Sequence, residues 1–190
     1  PLGGFLAMGL FLGFSYYCQM MGEWVVGGVE GKSLAYVLVV MALGALVRQR
    51  WNQAWLWIGA ASSLHVLAGG WSAVALGFSW LLAPAQRPSL KQMIPGLTGG
   101  LLLALLGLLP AVALTWGLPA SELQQANTIY VFHRLPHHLL LQERPFPFVF
   151  AHLTLLSVWI VLVLAAGIHS AERRLQSFVL GAVLIAVAGT

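Results

Sequence analysis

At 190 residues, 59% hydrophobic and only 7% charged, the chain stands apart from soluble domains, where apolar residues make up roughly half and charged ones about a quarter. Nine Lys or Arg, five Glu and no Asp are too few to solvate the surface of a globule this size, which argues against a soluble fold and for a bilayer as solvent. The lone cysteine, Cys18, excludes an internal disulfide, a cysteine zinc site and an iron–sulfur cluster built within this chain.

In chain order, residues 2–21 form the first expected membrane helix, with neither the charged flank nor the small-residue cleavage site of a signal peptide. Residues 33–47 are a shorter, uncharged span, extended backwards through 25–29 or tilted. Residues 54–83 are apolar but interrupted by Gly69 and Gly70, and read as a hairpin of two short helices with its turn at the glycine pair. Non-helical backbone at that depth must be buried in protein or line a cavity. Segments 93–116 and 146–168 meet the standard of about 20 apolar residues for a crossing. Glu172, Arg173 and Arg174 close the latter, and 175–190 starts a further span that the chain does not finish. With Pro1 at its start, the sequence reads as a piece of a longer chain. The expected fold is all-α: a polytopic integral membrane helical bundle with a short-helix hairpin, one membrane domain over 1–190, multi-pass in a bacterial inner membrane.

The charges orient this bundle, because cytoplasmic loops collect Lys and Arg. Arg48 and Arg50, Arg87 and Lys91, and Arg173 and Arg174 make three basic pairs. Placing all three inside leaves Lys32, Arg134 and Arg144 outside, together with the loop from Glu23 to Lys32, the glycine tip and the outer loop 117–145. Five of the eight tryptophans (Trp24, Trp51, Trp55, Trp71, Trp116) flank apolar runs and suit interfacial anchors.

Chemistry concentrates in 117–145. Pro119-Ala120-Ser121-Glu122 is a helix start, with Ser121 able to cap and Glu122 near the positive helix end. The helix runs to about Phe132 and must break before Pro136, where Arg134, His137 and His138 gather. A guanidinium and two imidazoles on a bend suit a phosphate ligand. The alternative is an interfacial loop touching headgroups without selectivity. His65, one turn before the glycine tip, is an ionisable group in an apolar hairpin and needs a partner; its alternative is a core histidine bonded to a backbone carbonyl, Ser62 or Ser63. Glu23 and Glu30 could serve as base or metal ligand, or be ordinary loop residues. His152 is a weaker candidate and His169 an interfacial one. His133 and His137 have helical ligand spacing, but Pro136 interrupts it and no zinc motif supports it. His65 and His152 could instead ligate a haem or chlorophyll, although Gly96, Gly99, Gly100 and Gly107 are equally explained by tight helix packing.

The stretch Tyr130-Val131-Phe132-His133-Arg134-Leu135-Pro136-His137-His138 resembles an Arg-x-Pro-His-His signature of uncharacterised multi-pass bacterial membrane proteins that look like GT-C-type glycosyltransferases. The hairpin around His65, Gly69 and Gly70 is similar to theirs, and the likeness covers roughly 53–166. The resemblance implies an enzyme that takes a sugar from a polyprenyl-phosphate donor on the extracytoplasmic face. Arg134, His137 and His138 would hold the donor phosphate, and His65 would line the same cavity. Enzymes of this type use an acid, usually Asp in an early outer loop, and this chain contains no Asp. Either Glu23 or Glu30 substitutes, the acid lies upstream of Pro1, or transferase activity is lost. The expected partners are the lipid bilayer, a lipid-linked sugar donor and a larger membrane complex, not nucleic acid. Rival readings are a non-enzymatic subunit of such a complex and a transporter of an anionic lipid or solute, for which broken hairpins are also typical.

Overall fold

The computed structural model describes residues 2–17, 30–83, 87–134, 136, 146–165 and 170–188. Every regular element among them is helical: α1 (Leu2–Tyr17), α2 (Gly31–Val47), α3 (Trp51–Leu64), α4 (Val66–Leu82), α5 (Leu90–Ala113), α6 (Ala120–Thr128) continuing into a π-helical turn (Ile129–Arg134), α7 (Phe146–Ala165) and α8 (Ser170–Ala188). The all-helical expectation holds. Among the described residues α5 alone is long and apolar enough to cross a membrane, and α2, α4 and the apolar parts of α1 and α7 are shorter. The chain divides into two compact units, one of residues 29–116 and 167–189, the other of 1–28, 117–166 and Thr190.

The first unit packs α2, α3, α4, α5 and α8. On α2 the buried residues Ala35, Val39, Ala42 and Leu46 recur at helical spacing, while Val37, Val40 and Met41 are equally apolar yet exposed. A helix apolar on all sides needs either a protein interior or lipid around it. Half of the core positions are alanines, with Leu46, Trp51, Ile58, Leu76, Met93 and Phe178 the larger buried side chains. Small residues let backbones approach. A Cβ added at Gly59 would strike the Gly100 backbone, one at Gly100 would lie 2.5 Å from the Trp55 carbonyl oxygen, and one at Gly107 would lie 2.6 Å from that of Ser62. These contacts advance together along both helices, so α3 and α5 run parallel with a small-residue seam, as the glycine spacing predicts.

Asn52 fixes the start of that seam. Its side-chain amide donates to the Gln92 carbonyl at 2.9 Å and accepts from the Gly96 amide at 3.0 Å, the two groups an α-helix pairs at i and i+4. Pro95 lies between them inside α5, and proline opens the helical ladder by lacking an N–H and crowding the preceding turn.

All three basic pairs sit at one end of this unit. Arg174 donates to the Leu46 and Val47 carbonyls at the end of α2, beside Arg48 and Arg50. The Ser79 hydroxyl of α4 donates to the Arg174 carbonyl, Trp80 donates to the Pro88 carbonyl, and the Arg87 guanidinium stacks over the Trp80 ring. Asn52 joins Gln92, next to Lys91, to the same end. The opposite end carries Glu30, Lys32 and the α3–α4 junction, where a Cβ at Gly31 would lie 2.7 Å from the Leu64 carbonyl oxygen.

Four expectations need correction. The hairpin turns at His65, not at the glycine pair, which lies inside α4. Gly69 serves a close approach instead, since a Cβ there would strike the Ser62 backbone. The triplet Glu172, Arg173, Arg174 lies in the first turns of α8 instead of closing the preceding span, and Arg174 is 1% exposed because α2 supplies acceptors for it. Trp51 is core, 4% exposed, not an interfacial anchor. Ser121 does not cap α6: Pro119 takes that position, and its carbonyl accepts from the Glu122 and Leu123 amides, leaving Ser121 within the helix.

In the second unit, Leu2, Phe5, Leu6 and Leu10 of α1 are exposed, as are Phe146, Phe150, Leu153 and Leu164 of α7. The short α6 buries no residue.

Candidate functional site

His65 is the single extended residue between α3 and α4, at φ −151° and ψ 101°. No backbone turn bridges it, so the last carbonyls of α3 lose the amides a continuous helix would offer them. Its own amide still bonds the Ala61 carbonyl, and its carbonyl accepts from Gly69. The imidazole Nδ1 accepts the Ala68 amide at 3.1 Å and so caps α4 as an Asn or Ser side chain would. That bond requires an unprotonated Nδ1 and leaves Nε2 as the ring's donor. Ser62 and Ser63 do not partner the imidazole; their hydroxyls bond the Ile58 and Ala60 carbonyls.

The start of α2 closes on this break. Gly31 lies against the Leu64 carbonyl, which brings the positive end of α2 to the negative end of α3. Glu30, at the N-cap of α2, therefore shares one end of the unit with His65. Its carboxylate is 3.7 Å from the Lys32 ammonium, with side chains 55% and 13% exposed. This is an ion pair of small energetic weight, but it sets a carboxylate, an ammonium and an imidazole at the junction of three helix ends.

Arg134 belongs to the other unit. After Thr128 the helix widens into the π-turn Ile129–Arg134, a distortion that in other proteins often marks functional positions. Pro136 follows, unable to donate to the Phe132 carbonyl and in steric conflict with it in a regular helix. His133 and Arg134 end the turn with exposed side chains, and the Arg134 guanidinium lies 6.0 Å from the Tyr130 ring centroid. The expected break before Pro136 falls on Leu135, outside the described residues, and Pro136 itself is helical.

His152 is half-buried on α7. Glu23, His137, His138 and His169 lie outside the described residues. No group of three or more His, Cys, Asp or Glu that could hold a metal occurs among the described residues. Two functional features escaped the sequence reading. Asn52 carried no signal, since its partners are 40 and 44 residues away. The capping box of Ser89 and Gln92 at the head of α5 was legible as Ser-x-x-Gln before an apolar run.

No protein-family model, curated protein or solved structure matches this chain.

Proposed function

We propose that the chain is a polytopic protein of a bacterial inner membrane that recognises a polyprenyl-phosphate-linked sugar on the extracytoplasmic side, in the manner of a GT-C-type glycosyltransferase. The membrane part is supported by the gathering of all three basic pairs at one end of the five-helix unit, between helices whose outward faces are apolar. Such charge asymmetry is what an oriented bundle carries. Helices shorter than α5 enter by thinning the bilayer locally, and α3 with α4 forms a broken hairpin packed against α2, α5 and α8.

The observation that carries the phosphate reading is the exposed Arg134 at the end of the π-turn, beside His133 and two residues before Pro136. A guanidinium offers parallel donors to phosphate oxygens, and its exposure leaves those donors available to a headgroup. In the transfer itself an acceptor hydroxyl attacks the anomeric carbon, the bond from that carbon to the phosphate oxygen breaks, and polyprenyl phosphate departs with the electron pair. Arg134 offsets the charge on that leaving group. The hydroxyl proton passes to a general base. His137 and His138 are further phosphate donors in this reading.

The test is binding and turnover of a polyprenyl-phosphate sugar by the reconstituted protein, with Arg134→Ala beside wild type. Loss of binding by about tenfold or more is expected for one charge-assisted contact, with folding retained. Undiminished binding in Arg134→Ala removes the phosphate role.

A further inference from the structure

The basic end holds a second polar feature that the transferase reading does not use. A cleft of about 350 Å³ opens there, lined by Gln49, Arg50, Trp51, Gln53, Pro88 and Gln92 among others. It lies where the parallel helices α3 and α5 both begin, so two positive helix ends face the same region. The two starts differ. That of α5 is closed by the Ser89 and Gln92 capping box, whereas α3 has no side-chain cap.

The chain turns into α3 through Gln49, at φ 59°, and the Gln49 and Arg50 amides are held by the Leu46 and Ala45 carbonyls. That leaves the first-turn amides of α3 and the exposed side chains of Arg50 and Gln53 without acceptors among the described residues. Trp51 forms part of the wall and is 4% exposed, yet its indole Nε1, like that of Trp55, meets no acceptor among the described residues. A buried donor without a partner is rare in folded proteins and calls for an explanation. Arg174 offers the contrast: at the same end, its guanidinium is satisfied by the backbone of α2. Arg87 and Lys91 adjoin the lining residues Pro88 and Gln92 in the chain.

We propose that this cleft binds a phosphate group, supplied by the headgroup of an anionic lipid in the leaflet at the basic end. Phosphate is rich in acceptors and carries the charge that an open helix start and a free guanidinium favour. An anionic leaflet presents such groups at the depth where basic pairs end membrane helices. The lipid source rests on the membrane reading above; the phosphate chemistry of the cleft does not.

The experiment uses the whole chain purified in a nonionic detergent, titrated with short-chain phosphatidylglycerol, short-chain phosphatidylcholine and inorganic phosphate, with thermal unfolding as the readout. Phosphatidylglycerol should raise the melting temperature saturably and phosphatidylcholine should not. Arg50→Gln should weaken the apparent affinity about tenfold, as expected for one charge-assisted hydrogen bond. Gln53→Glu, which places a like charge in the cleft, should abolish the shift, and circular dichroism confirms that both variants fold. Equal stabilisation by phosphatidylcholine, or unchanged binding in both variants, overturns the proposal. Arg50-dependent stabilisation by inorganic phosphate alone overturns the lipid source. Because detergent replaces the bilayer, these outcomes stand even if the chain proves not to be polytopic, which side-specific labelling decides separately.

Discussion

The Nε of Arg174 donates at 3.1 Å to the carbonyl oxygen of Leu46, a residue 128 positions earlier in the chain. With the second bond to Val47 at 2.8 Å, one guanidinium serves two last-turn carbonyls of α2, that of Leu46 alongside the Gln49 amide. Arg174→Ala leaves both without that donor and opens a cavity. The expected cost is about 3 kcal/mol, from the lost charge-assisted bonds and the lost packing of a side chain 1% exposed. Arg174→Lys should recover only part, because an ammonium lacks the planar fork. Chemical or thermal unfolding in detergent measures both, and an Arg174→Ala protein as stable as wild type would show that the clamp is dispensable.

Gly69 and Gly70 are neighbours with opposite expected responses. Both are helical, but a Cβ at Gly69 would strike Ser62, while nothing lies within 4 Å of one at Gly70. Gly70→Ala should stabilise by about 0.5–1 kcal/mol through helix propensity. Gly69→Ala should destabilise and force α4 away from α3. If the pair formed a turn, both substitutions would do damage, so comparing the two melting temperatures distinguishes the arrangements.

His65 should separate a capping role from a chemical one. His65→Asn keeps an acceptor for the Ala68 amide and should fold with nearly wild-type stability. His65→Ala should lose about 1 kcal/mol, the usual worth of a helix cap. If Nε2 also acts on a sugar donor, the Asn variant should still lose turnover. Full turnover in His65→Asn confines the residue to its structural role.

Orientation is open to cysteine labelling. In a Cys18→Ser background, Arg48→Cys and Lys91→Cys should react with a membrane-impermeant maleimide from one side of intact vesicles, and Glu30→Cys from the other. Labelling of all three from the same side refutes the oriented bundle.

The parts of this fold legible in the sequence are those set by local pattern. The long apolar run after Lys91 announced α5, and its glycine spacing announced the packed seam. The position of the hairpin turn was not legible, because Gly69 and Gly70 advertise backbone freedom whereas the structure uses Gly69 for lack of bulk. What breaks the helix is an imidazole that replaces a backbone acceptor for Ala68, a bond that His65 can make only once α3 has ended. Arg174 looked like an ordinary boundary charge because its acceptors lie on a helix far away in sequence. Pro136 gave no sign of the π-turn that precedes it and ends at Arg134, and no spacing rule sets Glu30 beside the His65 junction; the closeness of Gly31 to Leu64 does.

The 128-residue separation between Leu46 and Arg174 also has a temporal side. At ribosomal speeds of about 5–20 residues per second, α2 leaves the ribosome roughly 6–26 s before its clamp is made. For that interval the nascent bundle holds α2 through α5 with the Leu46 and Val47 carbonyls unserved by the guanidinium and Ser79 without its acceptor. A helix that follows the rest of its unit in the chain then locks one that precedes them, and a ribosome stalled before the Arg174 codon would release an assembly whose basic end stays unlatched and open to quality-control proteases.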